Sequence, residues 1–301
     1  MVPGLNTLIA ISLICWSIWG IFDKKALEAA KHLDVLIFQH IIYVFEIPVC
    51  FLILYLKCGG LFEVAPEAWL WTFFGSLVSS LAMLFYLIAM SRAQASYVLG
   101  ITASYPLVVQ VLAFFFLNEP IVQTRLLGSI LVGGGVAAIG GSSDPHEIDV
   151  SDNRGKHQFI LLSLCVLATL FWGITGMLDK KALLVEDPFK VYYARCVWDA
   201  LLLVFMLIAA RLLKHKPAWN ARRAWKYSIY SSVSVSLGTV CYMFAMTMAT
   251  ASYVIVITGC YPLFMYLFAM LFLKEKLDKL RVLGVLLVVL GGLMVQTTQS
   301  L

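Results

Sequence analysis

The chain has 301 residues, of which 61% are hydrophobic and 13% charged, with a mean hydropathy of +0.90; soluble domains run near one half apolar and one quarter charged, so a soluble globule is excluded. At about 20 apolar residues per crossing, the length accommodates roughly ten transmembrane helices, and disorder, a coiled coil or a barrel of alternating strands is excluded as well. The net charge of +5 has no soluble surface on which to form a basic stripe, which sets nucleic-acid binding aside and leaves the charge to bias topology.

Taken in chain order, the start Met-Val-Pro-Gly-Leu-Asn has no basic stretch ahead of the first apolar run, so no cleaved signal peptide is expected. The first run, 5–22, carries Trp16, Trp19 and Gly20; Asp23, Lys24 and Lys25 follow it, and the lysines read as helix-end charges at headgroup level. The second, 33–56, places Gln39, Tyr43 and Glu46 on one face at i, i+4 and i+7, with His40 a hydrogen-bonded core or interfacial histidine beside them. The third, 68–90, holds Ser76, Ser79 and Ser80, suited to close helix packing, and Tyr86. The fourth, 95–117, has Pro106 in mid-helix, which removes one backbone bond and frees the Thr102 carbonyl; Ser104, Tyr105 and Gln110 beside it supply neutral hydrogen-bonding groups. In a bilayer a freed carbonyl persists only if buried in protein or facing a wet cavity, so Pro106 marks a cavity, a gate or a packing kink. Glu119 ends this run as a cap or loop anchor, and the fifth, 123–141, presents Gly128 and Gly133 to Gly135 for bundle closure or dimerisation.

Ser142 to His157 is polar and turn-rich and is expected to be a linker between residues 1–141 and residues 158–301. Beyond it the sixth run, 158–178, carries Trp172 and is followed by Lys180 and Lys181. The seventh, 189–213, aligns Tyr192, Arg195 and Asp199 at i, i+3 and i+7. The eighth, 224–247, has Ser232, Ser234, Ser236 and Tyr242; the ninth, 251–273, has Thr258, Tyr261, Pro262 and Tyr266 and leads to Glu275; the tenth, 279–296, has Gly284, Gly291 and Gly292. The seven cysteines fall mostly in apolar runs with no metal spacing and read as small packing residues, so no metal and no cofactor is expected.

The two halves are copies at a constant offset of 156 residues. Trp16, Gly20, Asp23, Lys24 and Lys25 fall on Trp172, Gly176, Asp179, Lys180 and Lys181; Tyr105, Pro106, Glu119 and Arg125 fall on Tyr261, Pro262, Glu275 and Arg281. Because each copy has five helices, the second enters from the opposite side, giving an all-α integral membrane protein of two five-helix inverted repeats, the architecture of alternating-access carriers. Sixteen basic residues flank the odd-numbered connectors and five the even ones, so the positive-inside rule places the odd connectors in the cytoplasm and both termini outside.

These residues resemble the drug/metabolite transporter superfamily, and within it the ten-helix, two-repeat EamA-like members: Trp16, Trp19 and Gly20 closing the first helix, with Trp172 and Gly176 in the second copy, and Pro106, Glu119, Arg125 and Gly128, repeated as Pro262, Glu275, Arg281 and Gly284. The resemblance implies a secondary carrier for small metabolites, an exporter or exchanger in the cytoplasmic membrane of a bacterium, with a cavity between repeats and the fifth and tenth helices set apart. It also implies both termini in the cytoplasm, opposite to the charge count.

Ionisable groups inside apolar runs cost about 2.5–3.5 kcal/mol each on insertion scales, and Glu46, Arg195 and Asp199 are three. Arg195 and Asp199 read either as an intrahelical ion pair or as a site in which Arg195 takes a carboxylate or phosphate while Glu46 or Asp199 takes an amine or a coupling proton. Tyr86, Tyr242, Trp16, Trp19 and Trp172 read as core packing or as the aromatic wall of the cavity, where Tyr105, Gln110, Tyr192 and Tyr261 add polar contacts and Pro106 and Pro262 act as hinge or gate. The expected function is alternating-access transport of a small polar metabolite, an amino acid or related amphoteric compound; the alternative is a flippase for lipid or lipid-linked sugar. No enzymatic motif is present. The partners expected are a small-molecule substrate, membrane lipid, a coupling proton and a second copy in a homodimer.

Overall fold

The computed structural model describes residues 4–141, 154–268, 270–271 and 279–298. Its elements are α1 (Leu5–Leu27), α2 (His32–Cys58), α3 (Pro66–Met90), α4 (Ala95–Thr102), α5 (Tyr105–Leu117), α6 (Gln123–Gly141), α7 (Arg154–Leu183), α8 (Pro188–Leu212), α9 (Arg222–Met248), α10 (Ala251–Thr258), α11 (Tyr261–Phe268) and α12 (Lys279–Gln296). Helices are what a bilayer demands of backbone that finds no water for its N–H and C=O groups. Six of them, α1, α2, α3, α7, α8 and α9, are individually long and apolar enough to cross a membrane. The chain is a multi-pass integral membrane protein.

The ends of these helices follow local chemistry. Gly59 closes α2 in the left-handed region at φ 70°, a conformation that favours a residue without Cβ. The Asp187 carboxylate accepts from the Phe189 N–H, and Pro188, which has no N–H to lose, opens α8. Helix α7 begins at Arg154, so the expected linker of 142–157 ends in helix; residues 142–153 lie outside the described residues.

Among the described residues twelve helices account for the ten expected spans, because the fourth and ninth are each two half-helices. Pro106 is therefore not in mid-helix. It is the second residue of α5, where its missing N–H falls in a first turn that has no partner to lose, and Thr102 is the last residue of α4. Pro262 has the same backbone position in α11. The chain turns at residues 103–104 and 259–260, and both breaks carry the same bonds, Ser104 N–H to the Ile101 carbonyl at 3.1 Å and Cys260 N–H to Ile257 at 3.0 Å. The Tyr261 carbonyl at the second break accepts from the Ser17 hydroxyl at 2.9 Å. Among the described residues, the proline that does lie inside a continuous helix is Pro48 of α2.

The repeats interleave. The most extensive contacts are α6 with α12, α1 with α9, α3 with α7, and α2 with α8. Each joins one half to the other, and under the 156 offset α1–α9 and α7–α3 are equivalent pairs, while α2–α8 and α6–α12 are self-equivalent, as a pseudo-twofold axis between the halves requires. At α6–α12 the approach is backbone to backbone: a Cβ on Gly128 would meet the Gly291 carbonyl oxygen at 2.7 Å, and one on Gly135 would strike that of Gly284. The glycine stripe of these helices is thus used inside the chain. Where α3 and α9 end, Lys24 Nζ donates to the carbonyls of Met90 and Ala93 and Lys180 Nζ to those of Met246 and Ala249. These lysines turn inward onto C-terminal carbonyls, not outward to headgroups.

Candidate functional site

Two adjoining compartments of about 110 and 90 Å³ lie between the halves, lined from α1, α2, α3 and α5 of one and α7, α8, α9 and α11 of the other. Among the described residues, helices α6 and α12 contribute nothing to the lining. Trp19, Ser79, Trp172, Arg195, Val235 and Thr239 belong to both compartments.

Arg195 is the central group, and its partner is not the one its helix offers. Its Nη1 donates to both Asp179 carboxylate oxygens, at 3.0 and 3.1 Å, so the intrahelical Arg195–Asp199 pair expected from i, i+4 spacing is not formed. Asp179 wins because α7 sets a buried carboxylate, 4% exposed, at the level of Arg195 on the neighbouring α8. Two consequences follow. The Nε and Nη2 edge of the guanidinium has no hydrogen bond among the described residues, and the Asp199 carboxylate, on the same cavity wall, also has none. One cation edge and one carboxylate therefore face the cavity with capacity to spare.

Equivalent residues in the first half form a quieter cluster. Gln39, the counterpart of Arg195, donates from Nε2 to Asp23 Oδ1 at 2.6 Å, and Ser231 of α9 donates to the same oxygen. Gly75, 156 residues before Ser231, faces Asp179 in the second half. Gln39 lines the cavity while Asp23 is fully buried behind it.

The other expected residues divide. Tyr43 and Tyr192 line the smaller compartment, and Trp16, Tyr105, Tyr242 and Tyr261 the larger, with Trp16 tilted on Tyr242 at 5.2 Å and edge-on to Tyr261 at 6.3 Å. Tyr86 does not line the cavity; it is buried behind Trp19 and Trp172, 5.2 Å from each ring. Glu46 is also behind the lining, its carboxylate accepting from the Tyr192 hydroxyl at 2.6 Å and Ser236 at 2.7 Å, so it ties α2 to α8 and α9. Gln110 is not in the cavity at all: its amide donates to the Ser252 carbonyl at 3.0 Å, joining α5 to α10. His40 lines the smaller compartment as a hydrogen-bonded histidine; Nδ1, 2.9 Å from the Leu36 carbonyl, must carry the proton there, which leaves Nε2 facing the Ser80 hydroxyl. The side chains of Pro262 and Arg281 lie outside what is described, as does Glu275.

Sequence reasoning passed over Asp23, Asp179, Thr175 and Thr239 and gave Ser79, Ser80 and Ser236 to packing, whereas these serines line the cavity. The findable signal was the repetition of Asp23 at Asp179 with Gln39 and Arg195 each 16 residues on. Away from the cavity, Glu119 caps α10 by accepting from the N–H groups of Ala251 and Ser252 at 2.7 and 3.0 Å. Beside it buried Arg125 donates to Thr250, Ser252 and Thr298.

The sequence model of the EamA-like transporter family matches residues 5–141 and again 159–297. A solved crystal structure, titled only as that of a protein, superposes on the chain with a TM-score of 0.74 at 12% identity, over 98% of this chain and 97% of that one. At that identity the likeness is one of fold. No curated protein matches.

Proposed function

This chain belongs to the EamA-like transporter family of the drug/metabolite transporter superfamily, and we propose that it carries a small polar metabolite bearing both charges, an amino acid or related amphoteric compound, as an exporter or exchanger. The observation behind this reading is the spare guanidinium edge of Arg195 set in one cavity with the carboxylate of Asp199, which accepts no hydrogen bond among the described residues. A substrate carboxylate takes two parallel N–H bonds from a guanidinium fork, and a substrate ammonium takes Asp199 as its counter-charge. Asp179 holds the guanidinium in place from its other edge. Trp16, Trp19 and Trp172 offer ring faces to the rest of the molecule. Compartments of about 110 and 90 Å³ suit a solute of several heavy atoms better than a lipid. Transport then proceeds by rocking the interleaved halves about this site, with the breaks ahead of Pro106 and Pro262 among the moving parts.

The test is a thermal-stability screen of detergent-purified protein against amino acids, amines, organic acids, nucleosides and sugar phosphates. A ligand at a hundred times its Kd adds about 2.7 kcal/mol to the folded state. Amphoteric compounds should raise Tm in the wild type, and Arg195→Ala and Asp199→Asn should each abolish the rise. A rise with lipid or polyprenyl phosphate alone would replace this reading with that of a flippase; a rise that survives both substitutions would remove these residues from the site.

A further inference from the structure

Resting on the carrier reading, we propose that Asp23 is a proton-binding site whose occupation locks the first half's side of the cavity shut, and whose deprotonation accompanies opening on that side. The argument begins with the pseudo-twofold axis. Asp23 and Asp179 are equivalent, and so are the residues that grip them, Gln39 and Arg195, each 16 positions further on. The second half answers its buried carboxylate with a fixed guanidinium. The first half offers an amide, and Asp23 forms no ion pair among the described residues although its side chain is fully buried. A buried carboxylate without a counter-charge is costly; where the fixed cation is missing, a mobile one takes its place.

The hydrogen bonds indicate a proton as that cation. Asp23 Oδ1 accepts from Gln39 Nε2 and from Ser231, while Asp23 Oδ2 and Gln39 Oε1 are both buried without a partner. The Tyr86 hydroxyl and the Trp19 N–H, buried beside them, act on the carboxylate, so Gln39 Oε1 is the acceptor left with no donor. A proton on Oδ2 turns that oxygen into a donor, and the acid and the amide then complement each other, the amide N–H giving to Oδ1 and the acid O–H free to give to the amide oxygen. No bond other than the new O–H forms, and the proton comes from and returns to water. Other groups around Asp23 do not supply a positive charge. From α3 the Tyr86 hydroxyl and from α1 itself the Trp19 N–H, both buried and without another partner, act on the carboxylate as donors but carry no charge. From α2 comes Tyr43, and α11 contributes Tyr261 through its action on Tyr86. Helices α4 and α10 contain tyrosine alone among titrating types. On α1, Lys24 donates to the Met90 and Ala93 carbonyls and Lys25 sits over the Tyr227 ring of α9.

The link to conformation comes from unequal access. The cavity reaches Asp179 but stops at Gln39, short of Asp23. In an inverted repeat the opposite-facing state exchanges the roles of the halves, so there the cavity reaches Asp23, where water and an ionised carboxylate are compatible. Proton binding and closure then favour each other reciprocally. Over the pH range in which Asp23 is ionised when open and protonated when shut, the shut-to-open ratio falls tenfold per pH unit.

Infrared titration of the detergent-purified wild type, without substrate, reads the proton directly as a carboxylic C=O band that shifts in D2O and bleaches with rising pH. The band should be missing from Asp23→Asn and from Gln39→Arg, which installs the fixed cation of the second half, and should persist in Arg195→Gln. Hydrogen–deuterium exchange at one alkaline pH supplies the second readout: peptides of α1 and α9 should exchange at least tenfold more slowly in Asp23→Asn, the permanently neutral form, than in wild type. A band retained in Asp23→Asn, or equal exchange in the two proteins, overturns the proposal. So does a rise in Tm in sodium chloride over choline chloride that disappears in Asp23→Asn, which would make the cation a metal ion. Because no ligand enters these measurements, their failure leaves the ligand screen above to judge the carrier reading separately.

Discussion

Asp179→Asn tests the assignment of the ion pair most sharply. The substitution keeps the shape but removes the charge that faces Arg195 across 3.0 and 3.1 Å and replaces one of the two accepting oxygens by an NH2 donor. With 4% of the Asp179 and 11% of the Arg195 side chain exposed, solvent does little to screen the loss, and breaking a buried pair by removing one partner costs about 3–5 kcal/mol. Arg195→Gln is the milder change, since Gln39 already shows how an amide grips the equivalent aspartate at 2.6 Å; about 1–3 kcal/mol is expected, the penalty for leaving part of a buried polar group unsatisfied. The double variant Asp179→Asn, Arg195→Gln leaves no unpaired cation and should recover about 2 kcal/mol or more relative to the sum of the single losses. Reversible unfolding in mixed micelles measures all four proteins. If the single losses added within about 0.5 kcal/mol, the two residues would not be coupled and the architecture proposed for the cavity wall would be wrong.

Other consequences are as direct. Gly135→Val drives a side chain into the Gly284 carbonyl of α12 and should cost more than about 3 kcal/mol, whereas Gly134→Val, at a glycine with open space around it, should stay within about 1 kcal/mol by the same assay. Glu119→Ala strips the α10 cap and the carboxylate acting on buried Arg125; a loss of about 2–4 kcal/mol is expected, with Glu119→Gln recovering part of it. Glu186, in the connector between α7 and α8, is held below the usual carboxylate range: partial burial opposes this, but the N–H groups of Asp187 and Ala65 and the Lys190 ammonium outweigh it. A depressed carboxyl contributes stability that is complete above its unfolded value of about 4.3 and is lost as pH falls through the folded one. The Tm gap between wild type and Glu186→Gln should therefore be open at pH 7 and close below about pH 4; a gap independent of pH would disprove the account.

The spans and their duplication were legible because both are one-dimensional: apolar length counts crossings, and a constant offset of 156 survives whatever the fold does. Tyr43, Tyr192, Arg195 and Asp199 were also legible as a polar stripe on helices that had to face something polar. What the sequence hid was pairing across helices. Asp179 stands at the end of an apolar run beside two lysines, the signature of a headgroup residue, and only the neighbouring α8 draws it inward. Gln110, by contrast, looked like cavity lining because Pro106 is near it, yet its face of α5 is turned to α10. The prolines misled for a related reason. Hydropathy runs unbroken across residues 95–117, so it reports one span and is blind to the turn at residues 103–104.

The difference between Gln39 and Arg195 says something about how such a chain came to be. If the halves had once been separate copies of a single five-helix protein assembled head to tail, both positions would have been encoded by one codon, and whatever residue it specified would have stood against both aspartates. On the roles proposed above, two fixed cations would have left no proton to release, and two amides would have left no fixed charge for a substrate. In one chain the two positions are free to differ, as Gln39 and Arg195 do, a division closed to any homodimer of the half.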